Sequence, residues 1–441
     1  MTSGQGQGAG DRVTIPDVGP IVATAVTAVR AKVTADASIR RITLAAWVIA
    51  ALAVLAYLWL ATWVFEIDLG VYRSGASVAF SGADLYSARF SADQLAFTYP
   101  PFAALAFTPL TWMPVIPAQL VWTTGCAACV IALAVVSVHR YLHPPKRWLQ
   151  FAIAVTVALA LVCDPSRIGT MAGQINAILA LALVLDLNKL TGRIPQGVLI
   201  GLAAGIKLIP LFLIAYFLVT RRPKAALRAL VAFAAFSAIG FAILPAASAR
   251  YWLSDMWDTS RIGSTEDIGN QSVRAMLARL LTTGQESAVL WLILGTMLAG
   301  LILWVCSRIW GELPWAADAL VFGAMLLLSP VSWCAHWILA LPIVLAAIRL
   351  GCLISSKALI SSASALAAVM VIGPIWLSPR LNVFDHNMPQ AILANSYVLA
   401  ALAAVGVLSA RAWLQVTVHK HQRAPVVAAA NDGRVRPLRA S

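Results

Sequence analysis

GVLIGLAAGIKLIPLFLIAYFLV, residues 197–219, is the stretch on which the fold turns. It is long and apolar enough for one membrane crossing, yet Gly201, Gly205, Lys207 and Pro210 fall near its middle. Glycine and proline weaken a helix interior, and a lone ammonium at membrane depth is costly unless it faces an anion or a cavity. Whether the chain crosses here once, or enters and returns, sets the side on which everything after it lies.

A membrane is the setting. The 441 residues are 61% hydrophobic and 11% charged, with 16 Trp, and the mean hydropathy is +0.83; these values exclude a soluble domain. The net charge of +14 is spread over short Lys/Arg clusters between apolar runs. It forms no basic stripe interleaved with aromatics, so nucleic acid is not an expected partner. Cys126 and Cys129 have CxxC spacing but no second pair and no nearby His, so the cysteines read as buried apolar residues without a disulfide framework or metal site. Residues 1–38 read as a disordered cytoplasmic tail, 39–412 as a transmembrane catalytic domain and 413–441 as a basic cytoplasmic tail. The first apolar run begins near Ile42, which suits a signal anchor or first span better than a cleaved signal peptide.

A bilayer core takes about 20 helical residues. Long candidates are 42–65, 115–138, 225–246, 286–308, 358–377 and 391–411, and shorter ones are 149–163, 174–188, 315–330 and 336–350. The Lys/Arg bias toward cytoplasmic loops orients them. Arg40 and Arg41 hold the N-terminus inside, so the loop 66–114 is outside; Arg140, Lys146 and Arg147, then Lys189 and Arg193, return inside. A single crossing through 197–219 would put RRPK (221–224) outside and invert every later basic loop. Two short segments meeting near Lys207 turn that lysine outward and restore the bias throughout. The fold class is therefore an all-α polytopic bundle of about twelve transmembrane helices with short outer-face helices, both termini cytoplasmic.

With that orientation the polar residues collect outside: 66–102, 163–176, Lys207, the long loop 247–285 with DIGNQS, and SPVSWCAHW (329–337). A cavity on the outer face is the expected site. Tyr99 and Phe102, in FTYPPFAAL, are expected against lipid headgroups. His139, His143, His419 and His421 read as surface residues on the inner side. No DxD-type nucleotide-sugar motif with a Gly-rich phosphate loop is present, and no His/Asp/Glu cluster has metal spacing, so no metal and no other cofactor is expected.

DLGVYRSGA (68–76), GADLY, FTYPPFAALAFTPL, GQINAILALAL, GLAAGIKLIPLF, GNQSVRAML and LLLSPVSWCAHWILALP stand in this order from residue 68 to 342. Individually weak, the ordered set resembles glycosyltransferase family 87, polyprenyl-phosphate-mannose-dependent mannosyltransferases of the multispanning GT-C class. The resemblance implies a GT-C-type bundle in the plasma membrane and inverting α-(1→2)-mannosyl transfer on its periplasmic side. It implies polyprenyl-phosphate-mannose as donor and a mannosylated phosphatidylinositol as acceptor, with branching of lipomannan and lipoarabinomannan as the nearest alternative.

The residues take roles accordingly. Transfer from a β-linked lipid phosphate to an α-linkage inverts the anomeric carbon, so one carboxylate must take the acceptor's proton, and the phosphate departs as an anion without a general acid. The family match assigns that base to Asp68. Glu66, two residues earlier and on another helical face, reads as an interfacial charge. Lys207 and His336 are the expected ligands of the donor phosphate. The family's SPVSW stretch is followed by paired histidines, and Ala335 replaces the first here, so only His336 can serve. Arg73 is a candidate for an acceptor phosphate or a partner for Asp68, and Arg167, Gln174, Asn176, Asn270 and Gln271 are sugar-hydroxyl candidates. Asp164 before Pro165 is an alternative base or a helix cap. A transporter with a midplane polar site is the competing class, since its broken helices resemble the one around Lys207; a non-catalytic scaffold leaves Asp68 and Lys207 without purpose.

Overall fold

The computed structural model describes residues 19–63, 67–90, 94–281, 284–380 and 383–431. Among these the regular structure is helical apart from a two-residue antiparallel pair, Arg89–Phe90 with Leu95–Ala96. α1 (Gly19–Trp63) begins inside the segment read as a tail, whose alanines favour helix, while residues 1–18 lie outside the described residues. α2 (Ile67–Ala79) and α3 (Pro101–Phe107) belong to the first polar loop. α4 (Val115–Ser137) leads to α5 (Lys146–Val162), which bends by 50° into α6 (Asp164–Ala172), and α7 (Asn176–Leu187) follows.

The stretch 197–219 is broken. α8 (Val198–Ile206) stops at Lys207, whose φ of −149° and ψ of 125° are extended, and α9 (Phe212–Val219) resumes after a 3₁₀ turn at Ile209–Leu211. α10 (Pro223–Ile243) shows how the halves lie. A Cβ added at Gly197 would meet Ala225, at Gly201 the Ala229 carbonyl, and at Gly205 the Cβ of Phe236 at 3.0 Å. Register rises along both helices together, so α8 and α10 run parallel; α9 must then descend, because Thr220 to Arg222 joins it to the start of α10. The segment enters and returns, and Lys207 stands at its tip. Its root is pinned by the buried Asp186 of α7, whose carboxylate accepts from the backbone N–H groups of Gly197 (2.6 Å) and Ile200 (3.0 Å).

α11 (Pro245–Leu253) and α12 (Val273–Leu281) flank the second long loop, followed by α13 (Gly284–Ile309) and α14 (Pro314–Leu328). A 3₁₀ stretch at Cys334–Leu339 opens α15 (Ala340–Leu353), and α16 (Lys357–Ile372), α17 (Met388–Ala394) and α18 (Ser396–Asn431) complete the chain. α18 continues into the segment read as the basic tail, and a break at Asn395 divides the candidate span 391–411.

Six helices among the described residues are long and apolar enough to cross a membrane, or seven if α5 and α6 form one bent span; four more apolar helices are shorter. α14 is buried on every side from Ala316 to Leu327, as an apolar helix at the centre of a bundle must be. The outer helices turn Leu52, Leu55, Leu120, Leu292 and Met297 outward, where hydrocarbon and not water is the solvent. The chain is an all-α, multi-pass membrane protein.

Candidate functional site

α2 carries a buried stripe of Leu69, Tyr72 and Ala76 at helical spacing, and Gly75 lets the Phe97 ring lie against the backbone. Asp68 sits in the first turn of this helix, where the positive end of the helix dipole favours a carboxylate. Tyr72, four residues on, shares its face. Arg73 points elsewhere: it donates to the carbonyls of Leu110 and, at 2.9 Å, Met113, tying α2 to the turn after α3. Glu66 lies outside the described residues.

The elbow between α6 and α7 supplies the next groups. Gly173, at φ 71°, ends α6 in the left-handed conformation, and the Gln174 N–H closes back on the Gly169 carbonyl at 2.8 Å. Gln174 and Asn176 thereby emerge beside α2. The Gln174 Oε1 accepts from Asn176 Nδ2 at 3.2 Å and from the Tyr72 hydroxyl at 3.5 Å, which leaves its amide to donate to Asp68. Lys207 donates from Nζ to Asn176 Oδ1 at 3.0 Å and meets His336 Nε2 at 2.6 Å. With an ammonium as donor, Nε2 is the acceptor and the imidazole proton resides on Nδ1. That Nδ1 is buried and has no hydrogen-bond partner among the described residues. One connected chain of polar groups thus runs from Asp68 through Gln174, Asn176 and Lys207 to His336.

Asp68, Gln174, Lys207 and His336 border a cavity of about 670 Å³, with Asn176 behind Lys207. Tyr99, Tyr86, Tyr251 and Trp333 give it aromatic walls, and Leu208, Phe212, Met325 and Leu328 an apolar flank. Tyr99 corrects the expectation of a headgroup contact: it is 8% exposed, its hydroxyl lies 3.0 Å from that of Tyr72, and its ring lies 5.7 Å from Lys207 Nζ. Phe102 packs on Phe236 with ring centroids 4.7 Å apart. Proline-flanked aromatics look interfacial in sequence, but Pro100 and Pro101 here only start α3 and leave Tyr99 facing inward. Asp68 is half-buried on the cavity wall, off the spanning helices. Burial pushes its carboxyl up to about 6, against the lowering effects of the Gln174 hydrogen bond and the Lys207 charge.

The remaining sequence candidates stand apart from this chain. Arg167 pairs with Asp164 at 3.2 Å and its side chain is 43% exposed. Asp164 itself is enclosed, accepting from Trp376 Nε1 at 2.9 Å and the Tyr397 hydroxyl at 2.5 Å, so it ties α6 to α18. Asn270 accepts from the Ser332 N–H at 2.9 Å and donates to the Thr265 carbonyl, while Gln271 donates to the carbonyls of Ile268 and Ala394. Both are fully buried and hold the DIGNQS loop against SPVSW, which positions His336 indirectly. Tyr72 and Tyr99 are the members that sequence reasoning missed; the i, i+4 relation of Tyr72 to Asp68 was the available clue. No three His, Cys, Asp or Glu side chains converge as metal ligands among the described residues.

The family model for glycosyltransferase family 87 matches residues 97–330, a segment that contains Gln174, Asn176 and Lys207 but starts after Asp68 and ends before His336. The chain is similar to the polyprenol-phosphate-mannose-dependent α-(1-2)-phosphatidylinositol mannoside mannosyltransferase of Mycobacterium tuberculosis, at 29% identity over 77% of this chain and 84% of that one. The Mycolicibacterium smegmatis protein of the same description is 28% identical over 78% of this chain and 83% of its own. A polyprenol-phosphate-mannose-dependent α-(1-2)-phosphatidylinositol pentamannoside mannosyltransferase from Mycolicibacterium smegmatis is 33% identical over 63% of this chain and 68% of its own. No solved structure matches.

Proposed function

Because the chain belongs to glycosyltransferase family 87, we propose that it is an inverting α-(1→2)-mannosyltransferase using polyprenyl-phosphate-mannose, with Asp68 as its base. The observation that carries this reading is the polar chain from Asp68 to Lys207 and His336 on one cavity wall. The donor's phosphate sits against Lys207, which has a third N–H beyond those given to Asn176 and His336, with His336 beside it on the cavity wall. Its polyprenyl tail lies along Leu208, Phe212, Met325 and Leu328.

Asp68 takes the proton of the acceptor's 2-hydroxyl as the oxygen bonds to the anomeric carbon. The bond from that carbon to the phosphate oxygen breaks on the opposite face, and the lipid phosphate leaves as an anion held by Lys207. A β-linked donor thereby yields an α-linked product, and one carboxylate suffices. The ammonium stands where a divalent ion would otherwise neutralise the leaving group, so the reaction proceeds without metal.

The acceptor is a mannosylated phosphatidylinositol, as in the names of the similar mycobacterial proteins; branching of lipomannan or lipoarabinomannan is the competing acceptor. The cavity faces the periplasm and both termini the cytoplasm. About twelve membrane-embedded segments result when the α8–α9 hairpin and the short apolar helices are counted with the long ones. The parallel course of α8 and α10 supports this, because it keeps RRPK on the side of Gly197.

The test offers purified protein polyprenyl-phosphate-mannose and a tetramannosylated phosphatidylinositol. One α-(1→2)-linked mannose is gained from this donor and none from a nucleotide-linked mannose. Failure to modify any mannosylated lipid contradicts the assignment, whereas modification of lipomannan alone moves only the acceptor.

A further inference from the structure

A second cavity, of about 350 Å³, shares no lining residue with the first. Asn176, Leu328 and His336 border the site described above, while Asn188, Asp318 and Arg349, toward the far ends of α7, α14 and α15, border this one. The separation along each helix is about 15–20 Å at 1.5 Å per residue. Arg140, Lys189, Arg222 and Arg349 line it, with Trp310 and Trp315, and Asp318 is the only acidic lining residue.

The three arginines are held in place. The Arg222 guanidinium lies 4.8, 4.7 and 4.6 Å from the ring centroids of Tyr216, Phe217 and Trp310, and its Nε donates to Thr220 Oγ1 at 3.0 Å. Its Nη2 is buried without a hydrogen-bond partner among the described residues. Arg349 stacks 4.3 Å over Trp315 and donates to the Arg140 carbonyl at 3.1 Å, and Arg140 in turn donates to the Asn188 carbonyl at 3.3 Å. Asp318 accepts from the Tyr216 hydroxyl at 2.6 Å and feels the charge of Arg222, but among the described residues it makes no direct ion pair with any of the four cations, so one carboxylate faces four positive groups. Like charges gathered on one concave surface repel unless an anion sits among them. Two guanidinia held against aromatic rings offer several N–H groups at once to the oxygens of a phosphate.

We propose that this cavity binds a phosphate group, with Arg222 and Arg349 as guanidinium ligands and Lys189 and Arg140 completing the charge. A phospholipid headgroup reaching in beside Trp310 and Trp315, and a soluble phosphate, share this chemistry. The proposal stands apart from mannosyl transfer, since its readout is binding alone.

The test uses the full chain in phosphatidylcholine nanodiscs, titrated in one arm with radiolabelled inorganic phosphate and prepared in the other with graded phosphatidic acid, lipid adducts being counted by native mass spectrometry. On a Lys207→Met background, which removes the ligand assigned to the donor's phosphate, at least one probe binds saturably at one per chain, and the arm in which it does so identifies the source. Arg349→Gln weakens that binding by about tenfold or more, and Arg349→Gln with Lys189→Gln by more still. Both residues are at the cavity rim, and melting temperature verifies the fold of each variant. Restoring Lys207, in the other cavity, leaves the affinity of this class of sites unchanged. Absence of saturable binding by either probe, undiminished affinity in the folded double variant, or a changed affinity when Lys207 is restored overturns the proposal.

Discussion

Asp68 and Lys207 act on each other across the cavity, and that coupling has a measurable consequence. With the Asp68 carboxyl pushed up to about 6, the form able to accept a proton is present above that pH and lost below it. The profile of kcat/KM therefore falls about tenfold per pH unit below about 6. Lys207 favours the carboxylate, so Lys207→Met, besides lowering activity, moves the acid limb of the remaining activity upward. A limb near the ordinary aspartate value of about 4 in both proteins contradicts the assignment. Arg73 makes a different prediction. Arg73→Met leaves the Leu110 and Met113 carbonyls without their donor, costing about 1–3 kcal/mol, read as a lower melting temperature in detergent. At this scale the sequence exposed charges in apolar surroundings: Asp68, Lys207 and His336 stand out because burial makes such groups expensive. It did not separate Gln174, on the cavity, and Asn176, which holds Lys207, from Asn270 and Gln271, inside a loop, because loop backbone and substrate hydroxyls call for the same side chains.

The α8–α9 hairpin is the element that sets the site. Its existence was legible in Gly201, Gly205, Lys207 and Pro210 together with the charge bias of the later loops, a long-range argument that needs no packing detail. The fit onto α10 was not, since it depends on which glycine faces which carbonyl. Gly201→Val drives a branched side chain into the Ala229 backbone and the Ala232 methyl. Overpacking of this kind costs about 1–3 kcal/mol. The expected outcome is a lowered melting temperature together with weaker donor binding, as the tip carrying Lys207 shifts; unchanged melting contradicts the close approach of α8 to α10. The start of α1 inside the segment read as a tail, and the break at Asn395, were hidden because alanine propensity and a single asparagine leave little mark on a hydropathy profile.

On the scale of the molecule, the buried α14 separates two cavities of different charge, one where Asp68, Asp255 and Asp258 face Lys207 and Arg261, and one where Asp318 alone faces Arg140, Lys189, Arg222 and Arg349. The charge bias assigns these ends to opposite membrane faces. Single cysteines at Ser81 and Lys224, both exposed, test this in intact cells on a Cys352→Ser background with an impermeant maleimide. Ser81→Cys is labelled and Lys224→Cys is not; the reverse pattern inverts the topology. The class of fold was legible throughout in composition, while the joining of the distant segments around residues 68, 174, 207 and 336 required the three-dimensional arrangement. The claim on which the account depends is that Asp68 takes the acceptor's proton, and the rate of mannose transfer by Asp68→Asn at saturating donor and acceptor tests it most directly. Loss of the base lowers kcat about a hundred- to ten-thousand-fold with donor affinity nearly unchanged, and transfer of mannose by this variant at the wild-type rate rules Asp68 out as the base.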